Sequence, residues 1–377
     1  MNTKRILLTG ARAPSALYLA RLFHEDSYEI YMADSIPHTL SSFSNIVKHF
    51  FLIASPVTHP DKFKRDLTFI IQQEKIDLLL PTCEEILHIS KEHAHFSSLC
   101  HLFCEPIDTL KMLHNKWTFI DYLKKENKNV PKTYLLTSKK QAEKEKKNFD
   151  SFVLKPIYSR FSSHVHIVHD QQIPNITPNT SQPWVMQEWI EGTQHCAYAI
   201  CQKGTVCAFS LYETIFSAGI GATIHFQHHE NASIEQWVKT FVQTLGFTGQ
   251  ISFDFIVKEN GEIYPIECNP RLTSGIHLFT KDDSISRAFF DTPPLIYPNI
   301  NQKTMLASAM LLYGVRQFSL NWLVSFFTSK DVLFSFKDLK PFFFQPFSLI
   351  SLWKIAKKQK INLLEASTFD IEWDGST

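Results

Sequence analysis

Apolar runs and amphipathic segments alternate along the first hundred residues. The apolar runs Arg5–Thr9, Glu29–Ala33 and Ile76–Leu80 have the length of buried strands, and Ser15–Phe23 has helical spacing. Strands that alternate with helices in this way favour an open parallel sheet with helices on its faces. The sequence therefore predicts an N-terminal α/β domain.

Two short loops follow the first and last of these predicted strands. Gly10–Pro14 comes directly after the first strand, and Pro81–Glu85 comes after the third. Because loops at the carboxyl ends of parallel strands face the ligand crevice, we expect both loops to line a substrate site. Glu84, with Thr82 and Glu85 beside it, is a candidate for binding an amine substrate, and a structural capping role is the equal alternative.

The middle of the chain contains helix patterns followed by several strand patterns. Thr109–Glu126 has helical spacing and ends before Pro131. Ser138–Lys147 begins with a capping-box sequence, and its lysines are interpreted as a solvated face rather than a binding patch. The following strand patterns and one helix pattern are Phe152–Lys155, His164–Val168, Trp184–Trp189, Ala197–Ile200, Thr205–Ser210 and the helix Ile234–Leu245.

Alternating residues on both sides of Asn260–Gly261 predict a β-hairpin. Gln250–Lys258 alternates along its length, and Glu262–Arg271 is the returning strand. The Asn-Gly pair favours a two-residue type I′ turn because both residues tolerate positive φ. With that turn, the register places Asp254 directly opposite Glu267. Other pairs predicted by this register are Ser252 with Asn269 and Ile256 with Pro265.

The same register gathers oxygen atoms on one face of the hairpin. Side chains two positions apart share a face, so Glu267, Asn269 and Arg271 project together with Asp254. Two carboxylates that face each other across a sheet repel unless a cation lies between them. Carboxylate and amide oxygens suit a hard cation such as Mg²⁺, and Arg271 is placed to bind a phosphate or a carboxylate. The alternative is an exposed hairpin face with scattered charges.

Composition narrows the class of protein. At 377 residues the chain is too long for one compact core, so two to three domains are expected. Its 38 basic and 37 acidic residues imply no general attraction to nucleic acid or to an acidic membrane. The 7 cysteines include no C-x-x-C pair and are odd in number. A disulfide framework is therefore disfavoured, and a reducing cytoplasmic location fits better.

From about residue 304 the chain becomes rich in Phe and Leu. Thr304–Phe327 is hydrophobic enough to lie on a membrane, although polar residues interrupt it, and the basic cluster Lys354–Lys360 follows later. A small helical domain that packs on the rest of the chain is the favoured interpretation, and a membrane-surface helix is the alternative. The apolar runs are too short to predict a membrane-spanning helix.

The hairpin motif resembles that of the ATP-grasp enzymes. In that family an acidic residue on one strand is followed about a dozen residues later by E-x-N-x-R, and Asp254 with Glu267–Arg271 matches this pattern. The resemblance covers about residues 1–295, and it implies that Arg271 steadies the reacting group. The implied fold is an open parallel α/β domain at 1–108, followed by a two-subdomain α+β ATP-grasp fold. Its lid subdomain is 109–183, and its catalytic subdomain, which contains the hairpin, is 184–298. The residues that follow predict a small, mostly helical region at 299–377.

The resemblance also implies the residues that hold ATP and its metal. Two Mg²⁺ ions are implied, held against the phosphates by Asp254, Glu267 and Asn269. Lys116 and Lys155 resemble two family lysines that contact ATP, and Lys155 is also an implied catalytic group. The segment that resembles the family's adenine contact consists of Gln187, Glu188, Trp189 and Ile190.

Two segments depart from the family pattern. The lid loop 158–164 contains no glycine, so Arg160 and the serines are its candidates for phosphate contact. Where many members hold the ribose with a glutamate, this chain has Gln194 and His195.

Further candidates lie on either side of the hairpin. Thr273, Ser274 and Gly275 follow the E-x-N-x-R motif and are candidates for contacting the substrate carboxylate, with a plain loop as the equal alternative. Histidines in a polar turn before the hairpin are expected to be exposed to solvent: His225, His228 and His229.

These features predict an ATP- and Mg²⁺-dependent ligase that activates a carboxylate as an acyl phosphate for attack by an amine. Its partners are expected to be small-molecule acid and amine substrates, with no nucleic acid, and a homodimer stays open. The C-terminal stretch Leu363–Gly375 resembles a subgroup likened to the large chain of carbamoyl phosphate synthase.

Two other classes of function are the alternatives. A nicotinamide-dependent reductase is suggested by Leu8–Gly10 and by Asp34 after the second strand, but no G-x-G-x-x-G follows the first strand. A protein that binds ATP without catalysis is suggested by the glycine-free lid loop.

Overall fold

The N-terminal part of the chain forms a parallel sheet in the computed structural model, which describes residues 3–158, 164–219 and 221–375. The strands of this sheet are β1 (Arg5–Thr9), β2 (Glu29–Asp34), β3 (Val47–Leu52), β4 (Leu78–Leu80) and β5 (His101–Leu102). They pair in parallel in the order β3-β2-β1-β4-β5. The helices of this part are α1 (Pro14–Glu25), α2 (Pro60–Glu74), α3 (Glu85–Lys91) and α4 (His93–Ser97). The predicted α/β sheet is therefore confirmed.

The order of the sheet reverses between β1 and β4, where ligands bind in open α/β sheets. The loops after these two strands are joined by hydrogen bonds. Thr82 Oγ1 donates to the carbonyl of Thr9 at 2.6 Å, and Thr9 Oγ1 donates to Glu85 Oε1 at 2.7 Å. Glu85 Oε1 also accepts from the N–H groups of Thr82 and Cys83. Glu85 thus has a structural role, because its carboxylate holds the loop before α3 together.

Strand β3 and helix α2 were not predicted from the sequence. Strand β3 lies at the edge of the sheet with Lys48 and His49 exposed, so it has no apolar run. Helix α2 does show a helical period in the residues that it buries, which are Phe63, Leu67, Ile70 and Ile71. That period was a usable signal for α2.

A second sheet follows, and all of its described pairs are antiparallel. Its strands are β6 (Thr133–Leu136), β7 (Phe152–Pro156), β8 (His166–Val168) and β9 (Trp184–Glu188), in the order β6-β9-β7-β8. The helices around it are α5 (Ile107–His114), α6 (Lys116–Lys125) and α7 (Lys139–Glu145). The single helix predicted over Thr109–Glu126 is wrong. Asn115 divides it, because Asn115 Oδ1 caps α6 by accepting from the N–H groups of Trp117 and Thr118.

A third sheet contains the predicted hairpin. In chain order the next strands are β10 (Thr193–Gln202), β11 (Thr205–Glu213), β12 (Ser217–Ala218), β13 (Ala222–Thr223), β14 (His225–Gln227), β15 (Gly249–Val257) and β16 (Ile263–Asn269), with α8 (Ala232–Leu245) before β15. The sheet order is β11-β10-β15-β16, so β16 is an edge strand, while β12 pairs with β13 alone. Short 3₁₀ helices occupy Leu40–Phe43, Lys146–Asn148, Ser274–Leu278, Lys281–Asp283, Ile285–Phe289 and Gly314–Gln317.

The predicted two-residue turn of the hairpin is wrong. The N–H of Lys258 donates to the carbonyl of Glu262 at 2.9 Å, which leaves Glu259–Gly261 as the loop. Gly261 closes this loop with a φ of 84°. Loops of this length commonly end in a left-handed residue, a conformation that glycine adopts without strain.

The longer loop changes the pairing of the hairpin near its tip. Pro265 lies opposite Phe255, so the predicted pairing of Pro265 with Ile256 is also wrong. A β-bulge at Ile266 then shifts the register back by one residue, and Asp254 lies opposite Glu267 as predicted. The loop and the bulge offset each other in the register.

The C-terminal part is mostly helical, as predicted. Its elements are β17 (Lys303–Met305), α9 (Ala307–Leu312), α10 (Leu320–Thr328), β18 (Lys330–Asp331), α11 (Lys340–Phe343), α12 (Gln345–Gln359) and α13 (Leu363–Ala366). Strand β17 pairs with β14 and β18. Arg21 of α1 binds the carbonyls of Val332 and Leu333 and the carboxylate of Asp338, which fixes this part to helix α1. Among the described residues, no helix is both long and apolar enough to cross a membrane.

The segment Ser367–Gly375, here called the tail, runs back across the first sheet. Arg12, in the loop after β1, binds Asp34 at 2.5 Å and the tail's Asp370 at 2.6 Å. Burial opposes the charge of Arg12, but the two carboxylates raise its pKa. Trp373 is 2% exposed and packs in the core. The tail therefore covers the carboxyl ends of β1 and β2.

Candidate active site

Asp254 and Glu267 face each other across β15 and β16. On the other side of β15, Cys196 of β10 lies opposite Asp254. Burial, followed by the negative charge of Glu267, raises the pKa of Asp254 to about 6. The charged form of Asp254 is thus destabilised, and a bound cation would stabilise it. Two opposed carboxylates of this kind are typical of a cation site.

Two buried lysines lie beside this acidic pair. Lys116 Nζ is 3.4 Å from Glu267 Oε1. Lys155 Nζ donates to Gln187 Oε1 at 2.9 Å and to the carbonyl of Ile266, the bulge residue, at 3.3 Å. Burial lowers the pKa of Lys155 to about 8, although the charge of Glu267 opposes this shift. Burial also disfavours the charged form of Glu267, but Lys116 and Lys155 outweigh it and lower the pKa of Glu267.

The start of α6 holds Lys116 in place. Asn115 caps this helix, and the N–H of Lys116 donates to the carbonyl of Ile157 at 3.2 Å. Asn115 Nδ2 donates to the hydroxyl of Tyr158 at 3.3 Å, and the Tyr158 ring packs 5.7 Å from the ring of His114. Our sequence analysis missed Asn115, His114 and Tyr158. Of these, Asn115 had a usable signal, because Asn is a preferred N-cap residue.

Arg271 lies beyond the acidic pair and is held by Glu84. Arg271 Nε donates to Glu84 Oε1 at 3.0 Å, and His114 Nε2 is 3.2 Å from Glu84 Oε2. Arg271 Nη2 donates to Asn269 Oδ1 at 3.4 Å. Although burial opposes its charge, Glu84 raises the pKa of Arg271. Glu84 was a candidate for binding an amine substrate, with a structural role as the equal alternative, and the structure places it, fully buried, against Arg271 and His114.

The segment predicted to contact adenine forms the end of β9. Besides its bond to Lys155, Gln187 donates through Nε2 to Thr133 at 3.2 Å. The N–H of Glu188 donates to the carbonyl of Lys132, and the N–H of Trp189 donates to the carbonyl of Ser151. Trp189 is exposed and Ile190 is buried. The structure thus brings the side chain of Gln187 to the lysine site and fixes the backbone that follows it.

The two ribose candidates point to opposite faces of β10. Gln194 shares a face with Cys196, which lies opposite Asp254. His195 lies opposite Phe255 and packs 5.4 Å from the ring of His229, and burial lowers its pKa. The structure therefore does not bring His195 together with the acidic pair, because neighbouring residues of a strand alternate in direction.

The residues after Arg271 serve the packing of the site. Thr273 Oγ1 lies 2.7 Å from Ser252 Oγ, and Ser274 begins the 3₁₀ helix. Gly275 is buried against Tyr198, where an added Cβ would lie 2.3 Å from the Tyr198 Cβ. The hydroxyl of Thr273 is thus placed on the hairpin, whereas Gly275 is required for close packing.

Arg160 lies outside the described residues, with most of the lid loop 158–164. At the end of that loop, His164 Nε2 is 3.3 Å from Glu365 Oε1 of the C-terminal part.

The predicted exposure of the histidines before the hairpin is wrong for His225 and His228. His225 is 2% exposed and His228 is 6% exposed. His225 lies in strand β14, which pairs with β17 of the C-terminal part. His228 follows that strand and lies against Leu211 and Tyr212 of β11. Local sequence reveals neither contact. His229 is exposed, as predicted.

The chemistry of the site suits a hard cation. Asp254, Glu267 and Asn269 contribute carboxylate and amide oxygens, the ligands that Mg²⁺ prefers. Asn269 Nδ2 is 3.5 Å from Glu267 Oε1, so the amide and the carboxylate are neighbours. Among the described residues, no group of three or more His, Cys, Asp or Glu side chains is arranged for a metal. A cation here would need the amide oxygen or the ligand's own oxygens to complete its coordination.

Comparison with known proteins agrees with this geometry. The model of the ATP-grasp domain matches residues 113–275, which include Lys116, Lys155, Asp254 and the E-x-N-x-R motif. An uncharacterised protein of Methanocaldococcus jannaschii is 26% identical over 160 residues, which is 42% of this chain and 41% of that protein. The chain thus matches less than half the length of this relative.

Several solved structures share the fold. The N5-carboxyaminoimidazole synthetase of Staphylococcus aureus superposes with a TM-score of 0.64 at 12% identity, over 84% of this chain and 87% of that one. The L-amino acid ligase of Bacillus licheniformis gives 0.61 at 12% identity, over 78% and 77%. The biotin carboxylase of Campylobacter jejuni gives 0.61 at 13% identity, over 80% and 74%. At these identities the likeness shows the fold.

Proposed function

We propose, on the premise that residues 113–275 form an ATP-grasp domain, that this protein is an ATP- and Mg²⁺-dependent ligase. It activates a substrate carboxylate as an acyl phosphate, which an amine then attacks. The observation that supports this proposal most is the pair Asp254–Glu267 with Lys116 and Lys155 beside it. The candidate Mg²⁺ ligands and the ammonium groups of two buried lysines thus lie side by side.

In a Mg²⁺–nucleotide complex, the acidic pair is suited to hold the Mg²⁺ ion and the two lysines are suited to contact the phosphate oxygens. When bound, Mg²⁺ would neutralise phosphate oxygens while held by Asp254, Glu267 and Asn269. Lys116 and Lys155 are fixed near the same place by Glu267, Gln187 and the Ile266 carbonyl. Phosphoryl transfer depends chiefly on alignment and charge neutralisation, which fixed side chains supply without reorganisation.

The acid substrate lies next to Arg271 in this proposal. Its carboxylate oxygen forms a bond to the γ-phosphorus while the bond to the leaving ADP oxygen breaks. The amine nitrogen then bonds to the carbonyl carbon, inorganic phosphate leaves, and the amine loses its proton to solvent. Glu84 and Asn269 hold the Arg271 guanidinium, so its remaining N–H groups are oriented before substrate arrives.

The nucleotide's base lies near the end of β9. Since the N–H of Glu188 is used by Lys132, we assign the adenine contact to the carbonyl of Glu188 and the backbone of Ile190. Gln194 is the ribose residue, because it shares the face of Asp254. The proposal keeps 109–183 as the lid and 184–298 as the catalytic subdomain.

The test is release of ADP and phosphate from Mg²⁺·ATP across pools of carboxylates and amines. Glu267→Gln is the informative variant, and Glu262→Gln on the exposed tip of the same hairpin is the matched control. We expect release that requires both an acid and an amine and that falls on the order of 10²–10³-fold in Glu267→Gln only. Mg²⁺·ATP binding without release in any pool would contradict catalysis and favour a nucleotide-binding protein.

A further inference from the structure

Large apolar side chains are exposed along most of the C-terminal part. Those at least about four-tenths exposed between residues 311 and 353 are Leu311, Leu312, Tyr313, Val315, Phe318, Leu320, Val324, Phe327, Phe336, Phe343, Phe347, Leu349, Ile350 and Trp353. Soluble proteins rarely expose apolar side chains in such groups unless a partner or a membrane covers them. The sequence favoured a helical domain that packs on the rest of the chain, and its packing on α1 leaves these side chains outside.

Helix α12 has one side that packs on the protein and one side that is exposed. Its inner side contains the buried Ala356 and the half-buried Leu352 and Ile355. Successive residues of a helix are about 100° apart, so most of the exposed side chains fall on the opposite side. We call these the outer face of α12: Phe347, Ile350, Trp353, Lys354, Lys357 and Lys358.

The outer face is apolar in its first half and basic in its second. Lys357 Nζ lies 5.2 Å from the centre of the Trp353 ring, so the two types of side chain are in contact. Ring contacts extend the apolar part beyond α12. Phe344 packs 5.3 Å from Phe347, and in the preceding segment Phe342 packs 5.5 Å from the exposed Phe343.

The charge of this region differs from that of the whole chain. Residues 301–366 include nine Lys and Arg but three Asp and Glu, whereas the whole chain has 38 basic and 37 acidic residues. Two of those acids, Asp331 and Asp338, are engaged in the structure, with backbone N–H groups and with Arg21 respectively. The apolar surface therefore lies in the strongly basic part of an otherwise acidic protein.

We propose that the outer face of α12 binds a membrane surface rich in anionic lipids, with the helix lying in the plane of the interface. Helices that lie in a membrane interface combine large apolar side chains such as Phe, Leu and Trp with Lys. Each Lys near an anionic lipid surface strengthens the attraction of the helix to that surface. A second copy of the chain is disfavoured, because a symmetric antiparallel contact would bury the lysines of each α12 against the apolar half of the other, with no carboxylate on that face to pair with them.

The experiment is flotation of the full chain with lipid vesicles. One set of vesicles contains phosphatidylcholine alone, and the other contains phosphatidylcholine and phosphatidylglycerol. The charge variant is Lys354→Glu with Lys357→Glu and Lys358→Glu, matched by Lys139→Glu with Lys140→Glu and Lys147→Glu on the lysine-rich lid segment. The apolar variant is Phe347→Ser with Trp353→Ser, matched by Phe69→Ser on the exposed side of α2.

We expect the protein to float with the anionic vesicles only, and less so at high salt. The charge variant should lose on the order of 100-fold in partitioning, given the attraction that each Lys contributes, and both matched controls should float like the wild type. Flotation with neither vesicle, flotation unchanged by both outer-face variants, or a dimer that the apolar variant dissociates would overturn the proposal. Circular dichroism checks that each variant is folded.

Discussion

Glu84 Oε1 accepts a hydrogen bond from Arg271 Nε at 3.0 Å, which joins a loop of the parallel sheet to the end of the hairpin. Residues 187 positions apart thus meet in the candidate site. His114 closes the other side of Glu84 at 3.2 Å, so the carboxylate is held between two cationic or polar partners. Arg271 is therefore oriented by a part of the chain outside the matched ATP-grasp domain.

Replacing this arginine tests the orientation directly. Arg271→Lys keeps a positive charge but loses the planar group that binds Glu84 and Asn269. We expect turnover to fall about 10²-fold while Mg²⁺·ATP binding stays within about twofold. Turnover kinetics and calorimetric titration of Mg²⁺·ATP measure the two effects, and wild-type turnover would contradict the assignment.

Asp254 makes the stability of the protein depend on pH when metal is absent. Its pKa is raised from 3.8 to about 6 in the folded state. Between pH 3.8 and about pH 6 the folded state therefore binds a proton at Asp254 that the unfolded state has already lost. Stability should therefore fall as pH rises through this window. Near neutral pH, Asp254→Asn should be about 1–3 kcal/mol more stable than the wild type in urea unfolding.

Mg²⁺·ATP should reverse this order of stability. The ligand stabilises the wild type by binding its folded state, but Asp254→Asn lacks the carboxylate and should gain little. Thermal unfolding with and without Mg²⁺·ATP checks this, with Mg²⁺-free ATP as the control. Equal stabilisation of both proteins would remove Asp254 from the metal site.

Lys155 should set the alkaline limit of ATP use. Its pKa is lowered to about 8 by burial, so in the free protein it loses its proton as pH rises through that value. We expect kcat/KM for ATP to fall above about pH 8, since this quantity reports the free enzyme. Lys155→Arg keeps its charge at these pH values, and its profile should lack this limb even if its activity is lower.

Two glycines with similar backbone angles distinguish the effect of backbone strain from the effect of a steric clash. Gly261 in the hairpin loop has a φ of 84°, and Gly375 in the tail has a φ of 89°. An added Cβ meets nothing within 4 Å at Gly261 but lies 2.6 Å from the Tyr158 ring at Gly375. Both Ala variants should lose about 1 kcal/mol of stability through the backbone.

Only Gly375→Ala should also change catalysis. It pushes on Tyr158, which contacts Asn115 beside Lys116, so we expect a higher KM for ATP in this variant alone. Steady-state kinetics of both variants provide the measurement. A wild-type KM for ATP in Gly375→Ala would show that the tail does not influence the nucleotide site.

The hairpin shows how far the sequence alone reaches. Alternation identified the two strands and the face that carries the oxygen ligands, because these features are local. The predicted pairing of Asp254 with Glu267 rested on the wrong loop length, and it holds because the longer loop and the bulge offset each other. The loop length and the bulge at Ile266 escaped prediction, since Asn-Gly fits more than one loop and a bulge depends on what its carbonyl meets. Here that partner is Lys155, from another sheet.

The errors elsewhere have the same origin. His225 lies opposite strand β17, from much later in the chain, and His228 lies against β11. Glu84 is in a predicted ligand loop, but its pairing with Arg271 depends on how the first sheet meets the hairpin. Patterns along the chain predict elements and residue types, whereas contacts between distant elements decide which groups face a ligand.

The bond between Arg12 and Asp370, 358 positions apart, has a consequence for synthesis of the protein. Arg12 leaves the ribosome early, with Asp34 as its nearby partner, whereas Asp370 emerges only after the sheets have been translated. A growing chain can thus fold its first sheet and still have an uncovered crevice. A translation product that stops before residue 370 lacks this cover, so the ion pair of Arg12 with Asp370 forms only after the strands of all the described sheets have been translated.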